Sequence, residues 1–135
     1  MTIELFEAIR AAWGPETATD ECWDPDNPAR GQCDATSLVV FEYLGGDLQL
    51  AKVLVDGEHT EHHYWNLLPD GPLDLSLEQF GPEHTIEPFQ VVTAEYLRAN
   101  YGAMKPDLRE RHARLRARVE AGLGRAPAEP LAVSV

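Results

Sequence analysis

The stretch Gly31-Gln32-Cys33-Asp34-Ala35-Thr36-Ser37-Leu38-Val39-Val40-Phe41-Glu42-Tyr43-Leu44-Gly45-Gly46 decides the fold. From Ala35 to Leu44 it is apolar on almost every side, which suits the centre of a domain rather than its surface. Its β-branched residues lower its intrinsic helix preference, so a strand is the competing reading. The run lacks alternation, is long for a strand, and stops at a glycine pair suited to a C-terminal cap, all of which favour a helix. Cys33 then stands at the N-terminus of a buried helix. The positive end of the helix dipole favours the thiolate, the nucleophilic form of the side chain. The plainer alternative is a small buried residue that packs as a hydrophobe.

Working outward, residues 2–13 read as a helix with an apolar stripe through Ile3, Phe6, Ile9 and Ala12-Trp13, capped by Thr2 and ended by Gly14-Pro15. Residues 14–31 are a long loop rich in Pro and Asp, and loops of that length in small domains are usually functional or mobile. Trp23, within it, is expected to be pinned against the core near Cys33. Past the core helix, 47–55 and 61–68 read as strands separated by an Asp56-Gly57 turn. A short third strand over 73–77 follows the turn Pro69-Asp70-Gly71-Pro72, and 79–88 reads as loop. Helices are expected over 94–101 and from Pro106-Asp107 to Gly122 or Gly124, the latter with a narrow stripe of Leu108, Leu115, Val119 and Leu123. The order is helix, loop, core helix, three-stranded meander, two helices. That is an α+β domain over 1–124, followed by a tail at 125–135.

The chain has 135 residues and ordinary globular composition, which bounds it to one domain with a real core. No apolar run reaches the ~20 residues that span a bilayer, and the acidic N-terminus lacks a signal-peptide pattern, so a cytoplasmic location with no membrane contact is expected. The two cysteines there are expected to be thiols. The formal net charge is −12, unevenly spread. Residues 105–125 hold seven basic and three acidic residues (+4), whereas 1–104 hold four basic and nineteen acidic (−15). An acidic body argues against nucleic acid as a partner. The basic helix is expected to pack on that body or on a second copy, giving a monomer or a homodimer through the C-terminal helix.

An acyl-transfer thiol needs a base to take its proton and a third group to orient that base. Histidine suits the base because its pKa lies near neutrality. Three histidines cluster in His59-Thr60-Glu61-His62-His63-Tyr64-Trp65-Asn66, and Asp74 follows one turn later. Alternation places His63, Trp65 and Leu67 on one face and His62, Tyr64 and Asn66 on the other. His63 is the first candidate base and His62 the second. The register poses a difficulty: a turn centred on Asp70-Gly71 pairs His63 with Glu78 and sets Asp74 opposite Leu67, about 13 Å away at strand spacing. A wider hairpin or a bulge would bring Asp74 to His63; otherwise the orienting group is Glu78, or Asn66 on the face of His62, or there is none.

The order helix-Cys, strand-His, strand-Asp resembles the papain-like and transglutaminase-like superfamily, with His63-Tyr64-Trp65 and Asp74-Leu75-Ser76 similar to its His-x-Trp and Asp-x-Ser/Thr strands. A closer resemblance is to a family of small bacterial proteins labelled YunG-like. The shared features are Gly31-Gln32-Cys33 with Thr36, Gly45-Gly46, His63-Tyr64-Trp65-Asn66, Asp74-Leu75-Ser76 with Gln79-Phe80, and the Arg111-His112 to Leu115-Val119 pattern, over residues 20–120. The resemblance implies a fold, in which the core helix bearing the cysteine packs on a small antiparallel sheet, and a Cys33–His63–Asp74 triad. It does not imply a substrate. Papain carries a glutamine six residues before its cysteine; here that position is Asn27, and Gln32 directly precedes Cys33.

These features point to cysteine-dependent acyl transfer at a small-molecule or peptide amide, with no cofactor. The Cys33 N–H, with Gln32 or Asn27, would stabilise the oxyanion, while Trp23, Trp65, Asn66 and His62 line or support the site. Two other readings stand beside it. One is a papain-like binding or regulatory module without activity. The other is a zinc site built from Cys22, Cys33, His59, His62 and His63, although their spacing matches no finger or ribbon.

Overall fold

The computed structural model describes residues 2–19, 23–99, 107–124 and 126–127. The elements are α1 (Thr2–Ala12), α2 (Cys33–Leu44), β1 (Asp47–Val55), β2 (Glu58–Leu68), β3 (Gly71–Leu73), a 3₁₀ turn (Leu77–Gln79), β4 (His84–Val92), α3 (Ala94–Ala99) and α4 (Leu108–Leu123). The strands form one antiparallel sheet in the order β3-β2-β1-β4. The architecture is mixed α+β. Cys22, the expected helical residues 100–101 and the start of the last helix at Pro106 lie outside the described residues, as does all of the tail but 126 and 127.

α2 is the buried centre: every residue from Asp34 to Val40 is inaccessible to solvent or nearly so. Its end is fixed by Gly45 at φ 79°, whose N–H bonds the Phe41 carbonyl. Gly46 follows at φ 89°, where a Cβ would strike the Leu67 carbonyl oxygen, so only glycine lets α2 turn directly into β1 against β2. One sheet face contributes Leu48, Leu50, Tyr64 and Val92 to the core shared with α1, α2 and α4. On α1 the buried stripe is Leu5, Ile9 and Ala12, while Ile3 is exposed, so the helix is rotated from the stripe read off the sequence. Trp13 Nε1 donates to Thr36 Oγ1 (2.9 Å) and locks α1 onto α2.

β4 corrects the loop expected over 79–88. It is an edge strand, exposed along most of its length, with Pro88 opposite Ala51 and a register shift that leaves Phe89 as an extra residue. Proline is tolerated at such an edge bulge, and the bulge erases the alternation that marks a strand in sequence.

α4 docks against α1 and α2 and buries Leu108, Arg111, His112, Leu115 and Val119. The apolar stripe expected to serve dimerisation is therefore occupied within the chain. The basic side chains of α4 meet the acidic body: Arg118 pairs with Glu16 (2.8 Å), and Glu42 holds both His112 (2.9 Å) and Arg116 (3.1 Å). No helix among the described residues is long and apolar enough to cross a membrane.

Candidate functional site

The β2–β3 hairpin turns one residue earlier than the sequence suggests. Leu68 pairs with Gly71, Leu67 with Pro72 and Asn66 with Leu73, so Pro69-Asp70 form the turn. Continued by one step, that register brings Asp74 level with Trp65, on the same face as His63 and one diagonal position away, within reach of an aromatic ring. The ladder stops at Leu73 and frees Asp74 to swing toward the imidazole. His63 Nε2 lies 2.7 Å from Asp74 Oδ2, with the His63 side chain fully buried and that of Asp74 16% exposed. Glu78, the other candidate for orienting His63, sits exposed on the 3₁₀ turn. A carboxylate only accepts hydrogen bonds, so Nε2 carries a proton toward Asp74, and in the neutral imidazole Nδ1 is then the acceptor. Nδ1 is buried and has no hydrogen-bond partner, and neither has Asp74 Oδ1.

His63 is held by rings on its own face. Phe80 meets it edge-on at 4.8 Å and Trp65 lies tilted at 5.6 Å. Phe80 is in turn backed by His84, whose Nδ1 accepts from Gly81 N–H (3.1 Å). Asn27 Nδ2 donates to the Gln79 carbonyl (3.0 Å), and Gly31 N–H donates to Gln79 Oε1 (3.3 Å). These bonds stitch the loop before α2 to the turn that carries Phe80.

Cys33 is the first residue of α2, and its sulfur accepts the backbone N–H of Tyr64, the residue after His63. Part of residue 33 reaches the surface, but the sulfur is desolvated, which pushes the thiol well above its usual range; Asp34, Asp74 and Glu61 push the same way and outweigh the Tyr64 N–H. This corrects the expectation that the helix dipole favours the thiolate. The dipole at a helix end is worth about 0.3–1 kcal/mol, and burial together with a carboxylate on the next residue exceeds it. At rest Cys33 is a neutral thiol, and no hydrogen bond joins it to His63.

Asp34 is itself held by Arg111 of α4. The guanidinium forks onto the carboxylate, Nη1–Oδ1 2.8 Å and Nη2–Oδ2 3.0 Å, with side chains 1% and 6% exposed. Arg111 Nε also lies 3.0 Å from Asp107 Oδ1, close enough for attraction but not aligned as a hydrogen bond. The sequence reading missed this pair. Its signal was an arginine inside the stripe Leu108, Leu115, Val119, at a position that must face the core.

The remaining site residues divide. Gln32 is fully buried and donates through Nε2 to the Gly14 carbonyl (3.1 Å), while Asn66 donates to the Ser37 carbonyl (3.0 Å). Their amides, like that of Asn27, are engaged in holding the scaffold. Trp23 is half-buried, and its indole N–H is buried without a partner. His62 lies on the opposite sheet face from His63, exposed, with its ring against His59 (4.6 Å) and Phe89 (5.9 Å). Among the described residues no three His, Cys, Asp or Glu side chains converge as a metal site requires.

The fold and site define an α+β protein in which a shielded thiol stands at a helix N-terminus beside a buried histidine–carboxylate pair. The chain belongs to the YunG family: the family's sequence model, described as YunG protein, matches residues 2–124. No curated protein and no solved structure matches it.

Proposed function

We propose that this protein is a cysteine-dependent acyl-transfer enzyme of papain-like character, acting on an amide or ester. The observation that carries the reading is the state of His63: completely buried, anchored through Nε2 by Asp74, and left with an unpartnered Nδ1. An unpartnered buried acceptor costs about 1–3 kcal/mol, and a base awaiting a proton accounts for it. The thiol at the head of α2 bonds the strand at Tyr64, next to that imidazole.

In this mechanism the neutral Cys33 thiol gives its proton to His63 Nδ1 as the sulfur bonds the substrate carbonyl carbon. The imidazolium is steadied by Asp74. The oxyanion faces the first turn of α2, where backbone N–H groups, including that of Cys33, have no intrahelical acceptor. Collapse of the tetrahedral adduct returns the proton from Nδ1 to the leaving group and leaves a thioester. A water or amine, deprotonated by the same nitrogen, then releases the acyl group. Hydrogen bonds of this kind often close only when substrate is bound, which accommodates the absence of a Cys33–His63 bond at rest.

The test is acylation by p-nitrophenyl acetate. The reading expects a burst of p-nitrophenol and an acetyl group mapped to Cys33, lost in Cys33→Ala and reduced by about 10²-fold or more in His63→Ala. A non-catalytic binding module is the second reading, favoured by the shielded, neutral thiol. Acetylation of Cys33 no faster in the folded chain than in urea, and indifferent to His63, selects it.

A further inference from the structure

The charges that bear on the Cys33 sulfur are those of carboxylates: Asp34, Asp74 and Glu61. Alternation puts Glu61, His63 and Trp65 on one face of β2, and Asp74 joins that face from the segment after β3. Asp34 adjoins Cys33 on α2. The basic residue on the far side of Asp34 is Arg111, whose guanidinium is 1% exposed, forked onto Asp34 and flanked by Asp107. It neutralises Asp34 and has no face left for a ligand. Arg30, in the loop before α2, is exposed. Lys52 is paired with His62, so it belongs to the other sheet face, where its ammonium lies over the Phe89 ring (5.5 Å). Tyr64, whose N–H meets the sulfur, has its phenol pushed up by burial and so adds no charge there.

Two further features point to a ligand. Asp74 Oδ1 is a buried acceptor with no donor, and the fully buried His63 leaves Nδ1 without one. The rings beside them, Trp65 and Phe80, offer π-faces that attract cations and repel anions.

We infer that the Cys33 site selects by charge: it takes acyl groups that are cationic or neutral beside the reacting carbonyl, with Glu61 and Asp74 as the selecting carboxylates, and turns away anionic ones. The inference rests on the placement of the site given above but not on its turnover. Carboxylates near a partly enclosed site raise the local concentration of cations by tenfold or more and lower that of anions correspondingly. The substrate class is then an amide or ester of a basic or uncharged carboxylic acid, such as a peptide with a lysine or arginine side chain next to the scissile bond. Asp74 Oδ1 would accept a hydrogen bond from the cationic group.

The experiment uses two methanethiosulfonate reagents with the same two-carbon arm and opposite charge, 2-aminoethyl (cation) and 2-sulfonatoethyl (anion), with the smaller methyl reagent as the neutral reference. In each case the Cys33 sulfur attacks the sulfenyl sulfur, a mixed disulfide forms, methanesulfinate leaves and the thiol proton passes to buffer. Rates at Cys33 are read by peptide mapping of the full chain carrying Cys22→Ser, folded and in urea. The folded chain is expected to prefer cation over anion by at least about tenfold more than the unfolded chain does, with the preference shrinking as salt rises. Glu61→Gln, an exposed substitution outside the catalytic groups, should reduce the ratio, and Glu61→Lys should reverse its direction. A ratio equal in folded and unfolded chains, or unmoved by Glu61→Lys, overturns the inference even if p-nitrophenyl acetate still acylates Cys33. A strong cation preference supports it even if that ester does not react.

Discussion

Replacing Arg111 by methionine tests whether the pair beneath the thiol holds the fold as the geometry requires. Asp34 is 6% exposed and receives two charge-assisted bonds from Arg111, 2.8 and 3.0 Å long. Methionine fills much of the same volume but supplies no charge, so Asp34 would be left ionised inside the domain. Removing one partner of a buried pair costs about 3–5 kcal/mol. A domain of this size has about 5–15 kcal/mol in all, so the variant should lose a large share of its stability. The pair itself is worth far less than its rupture, because both ions were desolvated to form it. Adding Asp34→Asn to Arg111→Met removes the stranded charge and keeps an oxygen for the Ala35 N–H, which now bonds Asp34 at 2.7 Å. The double variant should recover most of the loss. Urea unfolding followed by tryptophan fluorescence supplies the four corners of a double-mutant cycle. The expected coupling is at least about 2 kcal/mol. An Arg111→Met cost below about 1 kcal/mol, or a double variant no better than the single, would show that Asp34 reaches water and that the pair is a surface contact.

Other outcomes follow from the same structure. Because burial raises the Cys33 thiol in the folded state, the unfolded chain loses that proton first as pH rises past about 8.5, so wild-type stability should fall relative to Cys33→Ser by up to about 1.4 kcal/mol per pH unit above that point; parallel curves in urea melts between pH 8 and 10 contradict the shielding of the sulfur. Gly46→Ala forces a Cβ into the Leu67 carbonyl at a positive φ and should cost about 2 kcal/mol or more, whereas Gly45→Ala, with open space around it, should cost about 1 kcal/mol from φ alone; equal melting shifts would refute the close approach. Deleting residues 105–135 removes Leu108, Leu115 and Val119 from the core, so the 1–104 fragment should lose its cooperative thermal transition by circular dichroism; a folded fragment would return α4 to the role of a dimerisation helix.

How far the sequence carries depends on which force decides each element. α2 was legible because a ten-residue apolar run closed by Gly45-Gly46 leaves few alternatives, and the two faces of β2 were legible because the side-chain period in a strand is fixed at two. β4 was not. An edge strand owes its place to pairing with β1 rather than to burial, and Pro88 beside a bulged Phe89 cancels the pattern that burial would have imposed. The hairpin register was misjudged by one residue at each side of the turn. Pro69-Asp70-Gly71-Pro72 accepts a turn at either pair, and Gly71, at φ 133°, opens β3 rather than filling the turn. That small shift separates an Asp74 out of reach from one at 2.7 Å. Arg111 was hidden for another reason: charge complementarity across 77 residues of chain leaves no local trace beyond an arginine on an apolar face.

The weight of the catalytic reading therefore rests on the imidazole and not on the helix. A dipole acting alone is worth about 1 kcal/mol at a helix terminus, whereas desolvation moves fully buried groups by as much as 3–5 pKa units, or about 4–7 kcal/mol at 1.36 kcal/mol per unit. Every carboxylate bearing on the sulfur adds to the second effect. A thiol so placed cannot act as a preformed thiolate. It needs a base within the site that accepts its proton as the new bond forms, and the base must be held uncharged and unpartnered until then. Among the described residues His63 has the position for that role, with Nε2 anchored on Asp74 and Nδ1 buried without a partner. If His63→Ala left acylation of Cys33 unchanged, no other feature of the first turn of α2 would be strong enough to replace it.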